Sequence, residues 1–283
     1  MANSPAAVWR LGRGLSLDCG PCRIAGIINA TPDSFYDGGR HADAAAAVAH
    51  GLSLARDGAD MLDVGGESTR PGAAPVPLEE ELRRVVPVVE GLVAALPGLP
   101  VAVDTFKAGC AAAAIAAGAV AVNDVSACAF DSGLLDVVAQ LKPGYVLMHS
   151  LGRPATMQDD PRYGDVVEDI LAFFEEKLAM LSRAGLPEDR VVLDPGIGFG
   201  KRTEHNLEIL RRLDRFLILG RPLYLGISNK SVFGKVLGLT VEQRGMATAV
   251  LSALSAGRGA RIHRVHDVAG VSAALRLAAA VAA

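Results

Sequence analysis

Asp104, Asn123 and Asp194 each end an unbroken apolar run: Val101-Ala102-Val103, Ala119 through Val122, and Val191-Val192-Leu193. Polar groups at the ends of buried strands are costly unless they are paired. A ligand ring bearing an amino group and ring N–H donors would pair them, and a site built on such bonds rejects analogues lacking those donors by about four orders of magnitude or more. Lys230, in Gly226-Ile227-Ser228-Asn229-Lys230-Ser231, lies just past a seventh run, where it would supply a counter-charge and a donor to the acids. Arg264 and His266 alternate at the end of an eighth run and so face the same side. An Arg-x-His pair there can hold a phosphate. Asp63-Val64-Gly65-Gly66-Glu67-Ser68-Thr69-Arg70-Pro71-Gly72 sets hydroxyls and a guanidinium in a glycine-rich loop, a second place suited to an anion because arginine offers fixed, paired donors. Taken singly, each has a plainer reading: a helix cap, a structural histidine, or an arginine on a solvated rim.

Other chemistries fit the spacing less well. Asp194-Pro195-Gly196-Ile197-Gly198-Phe199-Gly200-Lys201 superficially suggests a nucleotide loop, but the residue five before Gly200 is Pro195 and Arg202 follows Lys201. A phosphate-binding loop requires Gly and then Ser or Thr at those places. It reads instead as a strand-end acid followed by a flexible loop that presents Phe199 as an aromatic wall. Cys19-Gly20-Pro21-Cys22 spells a dithiol motif, yet it runs into the strand-like Arg23 to Ile28 rather than into the helix N-terminus that favours a thiolate. A Gly-Pro turn between two N-terminal strands accounts for it better. Asp63, Glu67 and His149, alone or with Ser68 or Ser150, have neither a nucleophile-elbow nor a His-x-x-x-His spacing.

The elements that must position these groups form a regular series. Eight apolar runs stop at Asn29, Asp63, Asp104, Asn123, His149, Asp194, Ser228 and His266. Between them lie stretches with apolar residues at helical spacing: 41–57, 78–96, 107–117, 131–141, 165–184, 203–213, 241–257 and 268–282. Alternating strand and helix implies parallel strands covered by helices, and continuously apolar strands are buried on both faces. No glycine fingerprint follows the first strand, as it would in an open dinucleotide-binding sheet. Eight units in about the ~250 residues usual for the fold favour a (β/α)8 TIM barrel, whose strand ends converge on one pocket. The alternation from Val8 to Leu17 predicts a short N-terminal β-hairpin over residues 1–22, belonging to the same domain as a barrel over residues 23–283.

Composition bounds the partners. With 51% apolar residues, the chain can build a large core without disulfides. A net charge of −3 gives no basic face for nucleic acid or an anionic membrane. No apolar run approaches the ~18 residues of a membrane span, and Met1 to Arg13 lacks signal-peptide regions. A cytoplasmic protein with a small-molecule partner is expected.

Together, Asn29-Ala30-Thr31-Pro32-Asp33-Ser34-Phe35, Asp63 through Gly72, Val103-Asp104-Thr105, Asn123-Asp124, Leu147-Met148-His149, Asp194 through Lys201, Ser228 through Ser231 and Arg264-Val265-His266-Asp267 resemble the dihydropteroate synthases of folate biosynthesis. The resemblance runs from about Ile24 to the C-terminus. It implies a transferase that condenses 6-hydroxymethyl-7,8-dihydropterin diphosphate with 4-aminobenzoate, as a homodimer. By position, it makes Asp104, Asn123, Asp194 and Lys230 the pterin-holding set, with Met148 packed on the ring. Asn29 would be associated with Mg2+, while Thr69, Arg70, Arg264 and His266 would hold the diphosphate. Phe35, Pro71, Phe199 and Ser231 would form the aminobenzoate pocket, partly on mobile loops. Two positions depart from the pattern. Asn229 stands where the family commonly has arginine, and Phe106 stands where a small polar residue is expected. Both bear on substrate affinity and sulfonamide response. Two other readings stay open: a related barrel that passes a methyl group from methyltetrahydrofolate to a corrinoid, and a pterin-binding paralogue without turnover. The first has no diphosphate to hold, so Arg70, Arg264 and His266 argue against it.

Overall fold

The computed structural model describes residues 8–30, 40–68, 73–153 and 156–282. Strands β1 (Val8–Arg10) and β2 (Ser16–Asp18) form an antiparallel hairpin. Eight parallel strands follow: β3 (Arg23–Asn29), β4 (Met61–Gly65), β5 (Val101–Asp104), β6 (Ala121–Asp124), β7 (Gly144–Met148), β8 (Val191–Asp194), β9 (Leu223–Leu225) and β10 (Ala260–Val265). They close into a barrel because β10 pairs with both β9 and β3. The expected barrel with an N-terminal hairpin is therefore what forms. Its helices are α1 (Arg40–Arg56), α2 (Leu78–Ala95), α3 (Ala108–Ala117), α4 (Gly133–Leu141), α5 (Val166–Ala184), α6 (Thr203–Arg211), α7 (Ser231–Leu237), α8 (Arg244–Ala256) and α9 (Val268–Ala282).

The period of two along each strand sorts the side chains. Outward residues such as Ile28, Leu62, Val64, Val103, Val122, Leu147 and Leu193 pack with the helices in the main core. Inward residues Ala25, Met61, Ala102, Ala121, Val146, Val192, Tyr224 and Ile262 form a second core inside the barrel. The hairpin closes this inner core from the strands' N-terminal end, adding Trp9, Leu11, Leu17 and Cys19. Trp9 is fully buried, lies edge-on to Tyr224 and donates its indole N–H to the Arg190 carbonyl at 2.8 Å. Above the inner core, the same inward rows continue as Asn29, Asp63, Asp104, Asn123, Met148, Asp194 and Arg264, so the alternation that fills the barrel floor also lines its mouth, with polar groups at all of these positions but Met148.

Several local features differ from the sequence reading. Asp63 lies inside β4, which continues through Val64 and Gly65; its acid is an interior residue and not a strand terminus. The stretch from Val8 to Leu17 is broken by a turn at Gly12–Gly14, where Arg13 takes φ 54°. Helix α7 was not expected, because its seven residues include Gly234 and are too few to display an apolar stripe. Cys19 and Cys22 are free thiols, and burial pushes the Cys19 thiol up to about 11, the opposite of redox activation. Among the described residues, no helix is long and apolar enough to cross a membrane.

Candidate active site

The barrel mouth is organised around one cation between buried acids. Arg264, on β10, donates from Nε to Asp63 Oδ2 and from Nη2 to Asp104 Oδ2 at 2.6 Å. Asn123 donates from Nδ2 to the same Asp63 oxygen at 2.9 Å. Four strands are thereby cross-linked inside the barrel by β4, β5, β6 and β10 side chains. Burial opposes the charge on Arg264, but Asp63 and Asp104 outweigh it and hold the guanidinium protonated. Burial pushes the Asp104 carboxyl up, Arg264 pulls it back, and the nearby Asp63 carboxylate raises it again. Removing one partner from such a buried pair costs about 3–5 kcal/mol. Arg264, expected as a diphosphate holder, also bonds two carboxylates through Nε and Nη2, because Asp63 sits deeper on the same inner wall.

Asp194 is the second buried acid. Its Oδ1 accepts the Gly196 N–H at 2.8 Å, and burial raises its carboxyl, so the group is poised for a hydrogen-bonding guest. Met148 is buried beside Val125, Met157 and Phe199, with Phe106 and Phe130 packed against them, an apolar wall on one side of the acids. Phe106 and Phe130 meet edge-to-face at 5.4 Å, so the unexpected phenylalanine extends this wall. Lys230 precedes α7, with its ammonium 4.0 Å from the Phe199 ring centroid. Burial pushes it down to about 8, with Asp194 pulling the other way. Ser231 is exposed at the first turn of α7.

The anion side is partly in view. His266 Nδ1 lies 2.9 Å from Ser228 Oγ, which also accepts the His266 N–H at 3.2 Å. Asn229 Nδ2 is 3.5 Å from the same ring nitrogen. Asn29 ends β3 beside Gly65 of β4. The expected site residues Phe35, Thr69, Arg70 and Pro71 lie outside the described residues. Among the described residues, no group of three or more His, Cys, Asp or Glu could hold a metal ion. Asn29 offers one neutral oxygen. That suits an ion such as Mg2+, which keeps its waters and is held largely by substrate phosphates.

The sequence patterns assign neither His149 nor Lys201 a role in the site. Lys201 is almost fully buried, its Nζ 2.9 Å from His149 Nδ1 and donating to the carbonyls of Phe199 and His149 at 3.0 and 3.2 Å. The only signal in the sequence was a lysine directly after the glycine-rich run of β8. The loop it closes, read as flexible, is also held by Gln158 on Gly198 O, Tyr163 on Gly200 O and Asn206 on the Gly198 N–H.

The parallel barrel's mouth sets two acids, an amide and a lysine beside an apolar wall, and the family model described as "Pterin binding enzyme" matches residues 25–266. The dihydropteroate synthase of Escherichia coli strain K12 is 40% identical, over 94% of this chain and 93% of that one. The structure of Xanthomonas albilineans dihydropteroate synthase with 4-aminobenzoic acid superposes with a TM-score of 0.91 at 47% identity, covering 98% of this chain and 99% of the other. A second structure of the Xanthomonas albilineans enzyme, in complex with 7,8-dihydropteroate, gives a TM-score of 0.87 at 44% identity, covering 97% and 99%. The chain belongs to the dihydropteroate synthase family, and it is a transferase.

Proposed function

We propose that this chain joins 6-hydroxymethyl-7,8-dihydropterin diphosphate to 4-aminobenzoate, giving 7,8-dihydropteroate and diphosphate, by loss of diphosphate before attack of the arylamine. The observation that carries the reading is the set of Asp104, Asn123 and Asp194 on the inner wall, Asn123 and Asp194 buried and the Asp104 side chain 11% exposed, with Lys230 facing Phe199. Asp104 and Asp194 accept from the pterin's amino and ring N–H groups, while Met148 packs on the ring. Breaking the methylene–oxygen bond sends its electron pair to diphosphate and leaves a cation conjugated with the pterin. Donors placed where that charge develops stabilise the departure: His266 and Arg264, with Thr69 and Arg70 of the β4 loop. Asn29 would hold a Mg2+ ion, which, when bound, neutralises charge on the diphosphate. The arylamine is already neutral at pH 7, so the new C–N bond forms without a strong base and the nitrogen then gives up a proton. Phe199 and Ser231, with Phe35 and Pro71, form its pocket.

Diphosphate release that depends on 4-aminobenzoate is the direct assay; release at the same rate without the amine would remove the acceptor from the reading. Asp194→Asn turns an acceptor into a donor at the ring edge. We expect kcat/KM for the pterin substrate to fall roughly 10- to 150-fold, the equivalent of about 1.5–3 kcal/mol for a hydrogen bond to a charged group.

The homodimer reading has support on the outer surface. A groove of about 370 Å³ between α6, α7 and α8 is lined by Leu207, Val232, Phe233, Val236, Val250 and Leu254. Met246 and Leu254 on α8 are 81% and 62% exposed, and a contiguous apolar face of this kind marks an interaction site.

A further inference from the structure

The loop from Pro195 to Lys201 is built as a rigid part. Gly196, Gly198 and Gly200 all take positive φ, and a Cβ at Gly196 would lie 2.0 Å from the His149 carbonyl oxygen. Only glycine permits that approach. The loop's carbonyls at 198, 199 and 200 each accept a side-chain donor, from Gln158, Lys201 and Tyr163 respectively. Of these donors Lys201 alone is buried, and among the described residues no carboxylate bonds to it. Its three acceptors, His149 Nδ1, His149 O and Phe199 O, match the three N–H donors of an ammonium group. A lysine so placed is costly for an apolar interior, and a methionine would fill the same volume without that cost.

We infer that Lys201 is a positioning residue for the arylamine: it fastens the backbone at Phe199 to the end of β7 and so fixes the ring over which Lys230 lies. The inference rests on the assignment of Phe199 to the aminobenzoate pocket. It extends that assignment from Phe199 to the residue that anchors its backbone. Burial lowers the Lys201 ammonium to about 7, with Asp194 acting in the opposite sense, so the amine also shares the electrostatic field of the pterin-binding acid. The His149 ring beside it packs edge-on against Phe173 at 4.8 Å, a contact outside the loop that gives the anchor a second support.

The test is a double-mutant cycle on the full chain with Lys201→Met and Phe199→Ala, read as KM for 4-aminobenzoate, KM for the pterin substrate and kcat. Lys201→Met should raise KM for 4-aminobenzoate about tenfold, leave the other two within twofold, and add less than twofold once Phe199 is alanine. An unchanged KM for the amine, or an undiminished effect in the Phe199→Ala background, overturns the inference. Should Lys201→Met not fold, Tyr163→Phe removes another anchor of the same loop. It should raise the same KM in the same Phe199-dependent way, and no change there overturns the inference equally. If Phe199→Ala alone leaves KM for the amine unaltered, the assignment of Phe199 falls; if it raises that KM while the anchor variants do not, only the role of Lys201 falls.

Discussion

Asn229 occupies a left-handed conformation, φ 58°, between β9 and α7. Its carbonyl accepts from Arg244 at 2.8 Å, and its amide nitrogen approaches His266. Asparagine tolerates this backbone region better than most residues. Replacing it with the arginine common in the family therefore has two opposed effects. Asn229→Arg adds a permanent positive charge beside His266, which should lower KM for the diphosphate substrate. It also places a long side chain at positive φ, a cost of about 1–2 kcal/mol, which for a chain of this size lowers Tm by a few degrees. Steady-state kinetics and a thermal melt separate the two. An unaltered KM would show that the missing charge is immaterial. The acids tell a complementary story about legibility. Asp104, Asn123 and Asp194 were readable because a polar residue closing an apolar run is conspicuous. The partnership of Asp63 with Arg264 spans 201 positions in sequence, and no local pattern encodes it. Lys201 escaped for the same reason, since its partner His149 is 52 positions away.

At the level of elements, the eight barrel strands were legible because burial on both faces leaves unbroken apolar runs, and their boundaries shifted by only a few residues. The seven-residue α7 and the hairpin's internal turn were not, being too short for any period to register. The hairpin has the larger energetic consequence. Trp9 and Leu11 are almost wholly buried against the inner core, and Arg190 donates to the Leu11 carbonyl at 2.9 Å. We expect residues 8–18 to unfold with the barrel as one cooperative unit. Trp9→Ala should cost about 3–5 kcal/mol in denaturant titrations, with one transition by fluorescence-independent probes such as circular dichroism. A loss below about 1 kcal/mol would mean that the hairpin is an appendage and not the barrel's floor.

For the whole molecule, the apolar groove and the catalytic mouth lie on different parts of the barrel. The groove runs along the outer faces of α6 to α8, whereas the mouth is formed by strand ends and the loops that follow them. Association and chemistry should therefore be separable. Leu254→Glu, which sets a charge on that face, is expected to convert the proposed dimer to a monomer in sedimentation experiments while the fold persists. A wild-type protein that sediments as a monomer at micromolar concentration would dismiss the dimer outright. α7 connects the two regions, carrying Ser231 at its first turn and Val232, Phe233 and Val236 along the groove. A monomeric variant with a raised KM for the amine would show that the connection matters.

The hairpin beneath the barrel also dictates traffic. Trp9, Leu11 and Leu17 pack against the inner core and, among the described residues, close the barrel at the N-terminal ends of its strands. Asp104, Asn123 and Asp194 stand on the strands, whereas Phe199 and Ser231 stand on segments beyond the strand ends. Under the proposed function, a pterin held at the level of the strands enters before the amine that sits above it, and the joined product leaves amine end first.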